Sequence, residues 1–239
     1  MRLAVLTLAL ISGCGGPSSF RPPVLPELVT VIRPSVLLAA TEMRLIPGER
    51  MIWDVQAKGF SIARAELIVS DATATSRVET GVLASAVTSL HDELVTSLDR
   101  EHARPRSSIE TLVVEGKRTE VAVGFGADGY TLGGTPYPIP RVQTIHTALG
   151  LLRGWVSADA HAGVIPILVA GHMYQLEVAQ PTMTTLDGKG MYRVDCRVGA
   201  LGSVTVWFAT TEDRAPARIE LSTEDGKVTA EMIERTEAK

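Results

Sequence analysis

From residue 48 onward, turn-forming residues cut the chain into short runs in which apolar and polar side chains alternate, and only one stretch carries a helical period. Alternation at every second position gives a strand one apolar face, whereas runs this short make poor helices. Met51, Trp53 and Val55 alternate ahead of Lys58-Gly59, and 62–69 continues the pattern. A loop follows at 71–76, a strand at 78–83 and a short helical turn over 86–91. Residues 94–98, 107–114 and 119–125 read as antiparallel strands, the last two joined at Glu115-Gly116-Lys117. A Gly/Pro loop containing Gly133-Gly134 occupies 129–140. Strands resume at 165–170, 174–178, 192–198, 203–209, 218–222 and 228–233. Asp187-Gly188-Lys189-Gly190 and Glu224-Asp225-Gly226-Lys227 have hairpin-turn composition. The expected fold is mainly β: a curved antiparallel sheet, as a β-roll or incomplete barrel, with one main helix packed on it. Curvature limits the exposed edges that so many strands would otherwise leave.

The helical stretch is 142–157, where Val142, Ile145, Leu149, Leu152 and Val156 form one apolar stripe. Among strands, only the sheet can cover that stripe. Ile145, Leu149 and Leu152 are therefore expected on the concave face near Trp53 or Trp207, and these five residues together form a candidate apolar groove. Gly150 and Gly154 each weaken a helix by about 1 kcal/mol relative to Ala. They mark either a close approach of another element or a shorter helix.

The first 47 residues are of another kind. Arg2 precedes an apolar run at 3–11, and the exit Ile11-Ser12-Gly13-Cys14 resembles the lipobox cleaved before cysteine in bacterial lipoproteins, with Ile where Leu is usual. Residues 1–13 are thus expected to be a signal peptide, with Cys14 carrying the lipid. Six of the 13 prolines fall between 15 and 47, which makes 14–47 a tether. Leu28, Val29, Val31, Ile32 and Val36-Leu37-Leu38 are too apolar to stay in water, so part of the tether should dock. One β-rich domain then spans 48–235, and 236–239 is a tail. Gly15 after the cysteine points to an outer membrane facing the periplasm, with the lipid as the membrane partner.

Formal net charge is −4, from 23 basic and 27 acidic residues. No basic face is on offer for a polyanion, so nucleic acid is not an expected partner. If Cys14 is acylated, Cys196 is a lone thiol, and its strand context reads as a buried small hydrophobe.

Three stretches together resemble a family of exported bacterial proteins catalogued as a domain of unknown function. The first runs Pro47-Gly48-Glu49-Arg50-Met51-Ile52-Trp53-Asp54-Val55, followed by Gly59 and Ala63-Arg64-Ala65. The second is the helix at Ala148-Leu149-Gly150-Leu151-Leu152-Arg153. The third is Val204-Thr205-Val206-Trp207-Phe208-Ala209 with Asp213-Arg214-Ala215-Pro216-Ala217-Arg218-Ile219. The resemblance implies a curved β-roll and a cell-envelope location over about 48–234, and it supplies no catalytic residues.

Local signals for chemistry are few. His91, His102, His146, His161 and His172 have no metal-ligand spacing and read as solvated or capping residues; no cofactor is implied. There is no Gly-x-Ser-x-Gly elbow. His91-Asp92-Glu93 is the densest titratable cluster, and it reads as a polar turn. Trp53, Trp207 and Phe208 serve first as core anchors. The expected function is a non-enzymatic envelope module that binds an apolar ligand or a protein partner. The alternative is an envelope hydrolase acting on glycan or lipid through scattered residues.

Overall fold

The structure, a computed structural model, describes residues 36–40, 42–85, 89–224 and 226–236. The expected signal peptide, Cys14 and most of the tether lie outside the described residues. Eight strands come first: β1 (Arg50–Ala57), β2 (Phe60–Val69), β3 (Thr73–Thr80), β4 (Leu90–Asp99), β5 (Arg104–Val114), β6 (Lys117–Phe125), β7 (Tyr130–Leu132) and β8 (Thr135–Tyr137). The helix Ile145–Trp155 follows. The chain then forms β9 (Gly163–Val169), β10 (His172–Val178), β11 (Thr182–Leu186), β12 (Lys189–Arg197), β13 (Ser203–Ala209), β14 (Pro216–Thr223) and β15 (Gly226–Thr236).

All strands join one open antiparallel sheet in the order β8-β7-β6-β5-β4-β3-β2-β1-β15-β14-β13-β12-β10-β9, with β11 on the edge of β12. Two meanders are thus joined where β15 returns to β1. Hairpin geometry follows from the turn residues. Lys58-Gly59, Glu115-Gly116, Gly133-Gly134, Ala170-Gly171 and Asp187-Gly188 all have both φ angles positive, between 48° and 81°. That is the two-residue turn whose twist matches the strands it connects.

Three local expectations are corrected. A helical turn lies at Val82–Ser85; of the expected turn over 86–91, residues 86–88 lie outside the described residues and β4 already contains His91, Asp92 and Glu93. The 129–140 loop holds the short strands β7 and β8. The main helix begins after Thr144, whose side chain accepts from the Thr147 N–H while Thr147 Oγ1 accepts from the Thr144 N–H. This reciprocal cap stops the first turn from fraying and excludes Val142 from the helix.

Both helix glycines lie under a crossing chain. A Cβ on Gly150 would sit 2.7 Å from the Met43 side chain, and one on Gly154 would sit 2.3 Å from the Glu42 carbonyl oxygen. Residues 42–45 therefore lie directly on the helix, and the Arg44 N–H donates to the Gly150 carbonyl at 2.8 Å. The cost of two glycines is offset by this close packing. With the sheet on one side and that chain on the other, the helix is buried nearly all round: Ala148, Leu151, Leu152 and Trp155 join a core with Val194, Val206 and Phe208.

Register fixes which side chains share the inner face. Met232, Trp53, Ala65, Val78, Asp92, Leu112 and Thr119 are successive cross-strand partners in one row. A parallel row runs Met51, Leu67, Ser76, Leu94, Glu110 and Val121. The open ends of the sheet meet at a seam. There the Gln143 N–H donates to the Pro166 carbonyl and the Leu168 N–H to the Gln143 carbonyl, each at 2.8 Å. Val123, Tyr130, Val142 and Leu168 pack across it. Side chains and one bridging segment thus do what a closing strand ladder would do in a full barrel.

Candidate functional site

Three polar regions stand out, and they differ in how completely their groups are partnered. The first is a buried ion network. Arg153, in the last turn of the helix, and Glu49, just before β1, are both fully buried. Arg153 Nη1 donates to Glu49 Oε2 at 2.7 Å and Nη2 to Oε1 at 3.1 Å, a two-pronged contact. Nη2 and Nε of Arg153 also donate to the Asp213 carbonyl at 2.9 and 3.2 Å. Arg235 Nε reaches Glu49 Oε1 at 2.9 Å, and its guanidinium also contacts the Asp213 carboxylate. The three sequence stretches that carried the family resemblance supply Glu49, Arg153 and Asp213 to this one point.

The second region is the inner wall where β3, β4 and β5 pair. Asp92 Oδ1 is enclosed without a hydrogen-bond partner. Burial, and then the neighbouring Glu110 charge, push the Asp92 carboxyl up to about 7. Burial raises Glu110 as well, opposed by the Ala170 N–H, which donates to its Oε2 at 2.8 Å. Further along β4, Thr96 Oγ1 lies 2.9 Å from Nδ1 of His146, whose Nε2 is enclosed and unpartnered. Burial alone holds the His146 imidazole down to about 3, so the ring is neutral. The solvated or capping reading of His146 is thereby corrected: it lies inside the core at the first turn of the helix.

The third region is a cavity of about 310 Å³ at the seam. Its apolar floor includes Leu38, Phe125, Val142, Leu151, Val164 and Ile165. Its ionisable lining residues are His102, Arg104 and Arg141. Behind them, buried Asp99 faces His102 Nδ1 at 3.0 Å and accepts from Arg104 Nε at 3.1 Å. The His102 bond first, then Arg104, hold the Asp99 carboxyl down to about 2 against its burial. Gln143 also lines the cavity, only 5% exposed, with its Oε1 enclosed and unpartnered. A larger depression of about 760 Å³, beside Glu177, Asp195, Cys196 and Glu224, is more open and has no such orphaned group in its lining.

Of the five residues expected to form a groove, Trp53, Leu149 and Leu152 belong to adjoining core clusters, with Leu149 in both, whereas Ile145 and Trp207 belong to neither. Trp53 is buried, with Nε1 donating to the Pro216 carbonyl at 3.2 Å, and Leu152 is in the core. Leu149 is half-buried and packs against both the Trp53 and Phe208 clusters. Ile145 is 41% exposed. The buried arc of the helix is centred on Ala148, Leu151 and Trp155, rotated from the expected stripe. Trp207 stands on the outer face of β13, between the guanidiniums of Arg193 and Arg218 at 5.8 and 5.9 Å. Adjacent strand residues point to opposite faces, so the inward aromatic is Phe208, fully buried. Cys196 is 3% exposed, and burial, then Asp195, push its thiol up to about 12. Among the described residues, no group of three or more His, Cys, Asp or Glu is placed to hold a metal ion.

No family model and no curated protein matches the chain. Solved structures do. A beta-barrel-like protein of the domain of unknown function DUF1849, from Brucella abortus, superposes with a TM-score of 0.59 at 11% identity, over 82% of this chain and 100% of that one. A DUF1089 family protein from Pseudomonas aeruginosa aligns with a TM-score of 0.37 at 12% identity, over 75% of this chain and 92% of its own. The likeness to the first extends to the fold: a large, curved, mostly antiparallel sheet that stops short of a closed barrel.

Proposed function

We propose that this chain is a binding module of the cell envelope, held at a membrane surface by lipid on Cys14, and that it takes an apolar ligand in the seam cavity. The observation that carries this reading is the cavity itself. It lies where the sheet is not closed by strand pairing, and its floor is apolar from several separate chain segments. Its volume is at the lower end of the roughly 300–1,000 Å³ that small-ligand sites occupy. A hydrolase would need perturbed acid and base groups converging on the bound substrate. The two raised carboxyls, Asp92 and Glu110, do not line this cavity. Binding therefore accounts for the arrangement better than hydrolysis.

The test has two arms. Full-length protein extracted from its native membrane should release an apolar compound on denaturation, detected by mass spectrometry. Filling the cavity with Ala40→Trp, at a lining position, should abolish both that compound and the binding of a neutral apolar dye such as Nile red. Unchanged dye binding by the folded variant would refute the seam as the site.

A further inference from the structure

We propose that the seam cavity recognises an anionic head group, so that its ligand is a long-chain carboxylate rather than a neutral lipid, with Arg141 as the principal charge. This rests on the seam-cavity reading above and goes on to name the ligand class. Three observations carry it. First, the ionisable residues in the lining, Arg104, Arg141 and His102, are all of basic type, although acidic residues outnumber basic ones in the chain as a whole. Second, those basic groups are not equally committed. Asp99 already engages Arg104 Nε and His102 Nδ1. Arg141 makes no ion pair among the described residues.

Third, the backbone around Arg141 is held in place. Its φ is +58°, a left-handed conformation that only a defined local structure retains in a residue with a side chain. Gln143 Nε2 donates to the Arg141 carbonyl at 3.2 Å, and the Gln143 backbone is bonded to β9 on both sides. Arg141 itself is exposed and lines the cavity, and a guanidinium beside an apolar floor suits a carboxylate, which accepts two parallel N–H bonds from it.

The experiment uses the full chain and displacement of Nile red by decanoic acid and by decanol near neutral pH. Decanoic acid should bind about tenfold tighter than decanol, the scale of one charge-assisted contact. Arg141→Ala should remove that preference while leaving decanol unchanged, and Arg141→Lys should retain part of it. Equal affinity of acid and alcohol, or a preference that survives in Arg141→Ala, would overturn the anion assignment with the apolar site intact. If neither compound displaces the dye, the seam-cavity reading falls, and the head-group assignment falls with it.

Discussion

The two ends of the Ile145–Trp155 helix enter the core in opposite ways. At its C-terminal end Arg153 is buried with its partners supplied by Glu49 and the Asp213 carbonyl, and Arg235 completes the coordination of Glu49. At its N-terminal end His146 is equally buried, yet Nε2 has no partner, and Asp92 Oδ1 on the same inner face has none either. A buried charge is tolerable when its partners come built in, and it then ties distant elements into one geometry. An orphaned polar group is a standing cost that only its surroundings can relieve. The contrast separates a lock from unused binding capacity in a single fold.

The lock should give the largest effect when broken. Arg153→Ala leaves the buried Glu49 carboxylate with Arg235 as its one remaining cationic partner, and losing one partner of a buried pair costs about 3–5 kcal/mol. A fall in the urea midpoint of that scale, with the slope unchanged, is the expected outcome. Replacing both partners, as Glu49→Leu with Arg153→Met, should cost less than Arg153→Ala alone, since no charge is left stranded. Arg235 keeps its contact with Asp213 in that variant and is 17% exposed. If the double variant were the worse of the two, the network would be contributing net attraction beyond its desolvation cost.

How far this contrast could be read from the sequence differs at its two ends. Turns were legible because a residue followed by glycine between alternating runs has one cheap conformation, as at Glu115-Gly116 and Asp187-Gly188. The curved mainly β fold followed from those turns and from strand length. Strands of three residues, such as β7 and β8, are too short to show a period. Trp207 and Phe208 illustrate a further limit: alternation says that one of two adjacent aromatics faces outward but not which. The helix was legible, but its buried arc was not, because residues 42–45 cover a side that the sheet does not. Glu49 and Arg153 lie 104 positions apart, and no local pattern links them; their only trace was membership in separate stretches of one resemblance. The seam cavity depends on where two sheet edges meet, which is a property of the closed chain alone.

On the orphaned side the expected effects are smaller and depend on pH. Asp92 has its pKa raised from 3.8 to about 7 in the folded protein. Its contribution to stability is therefore fully present below pH 3.8 and is lost as pH rises towards 7, because the unfolded chain gives up its proton first. Asp92→Asn removes that loss. The variant should be more stable than the parent near neutrality by on the order of 2 kcal/mol, after allowance for partial exposure. The difference should shrink as pH falls towards 4. Chemical denaturation at several pH values checks this, and a variant less stable than the parent at pH 7 would show that Asp92 has a partner there.

His146 should give the smallest change at neutral pH and a trend of opposite sign. His146→Leu loses the bond to Thr96 Oγ1, but it also removes the enclosed, unpartnered nitrogen, and Thr96 Oγ1 still donates to Thr144 Oγ1 at 3.2 Å. One lost neutral hydrogen bond set against one relieved orphan leaves a net change within about 1 kcal/mol. Acid separates the two proteins. Folding lowers the imidazole pKa from 6.5 to about 3. The unfolded chain thus takes up a proton that the folded one refuses, and the parent loses stability as pH falls below 6.5. The leucine variant does not share that loss, so its relative stability should increase from pH 6.5 towards 4, while that of Asp92→Asn decreases over the same interval. Two denaturation series on one buffer set decide the matter. Parallel pH profiles for His146→Leu and its parent would mean that the imidazole takes up its proton without unfolding, so that its end of the helix opens to solvent on its own.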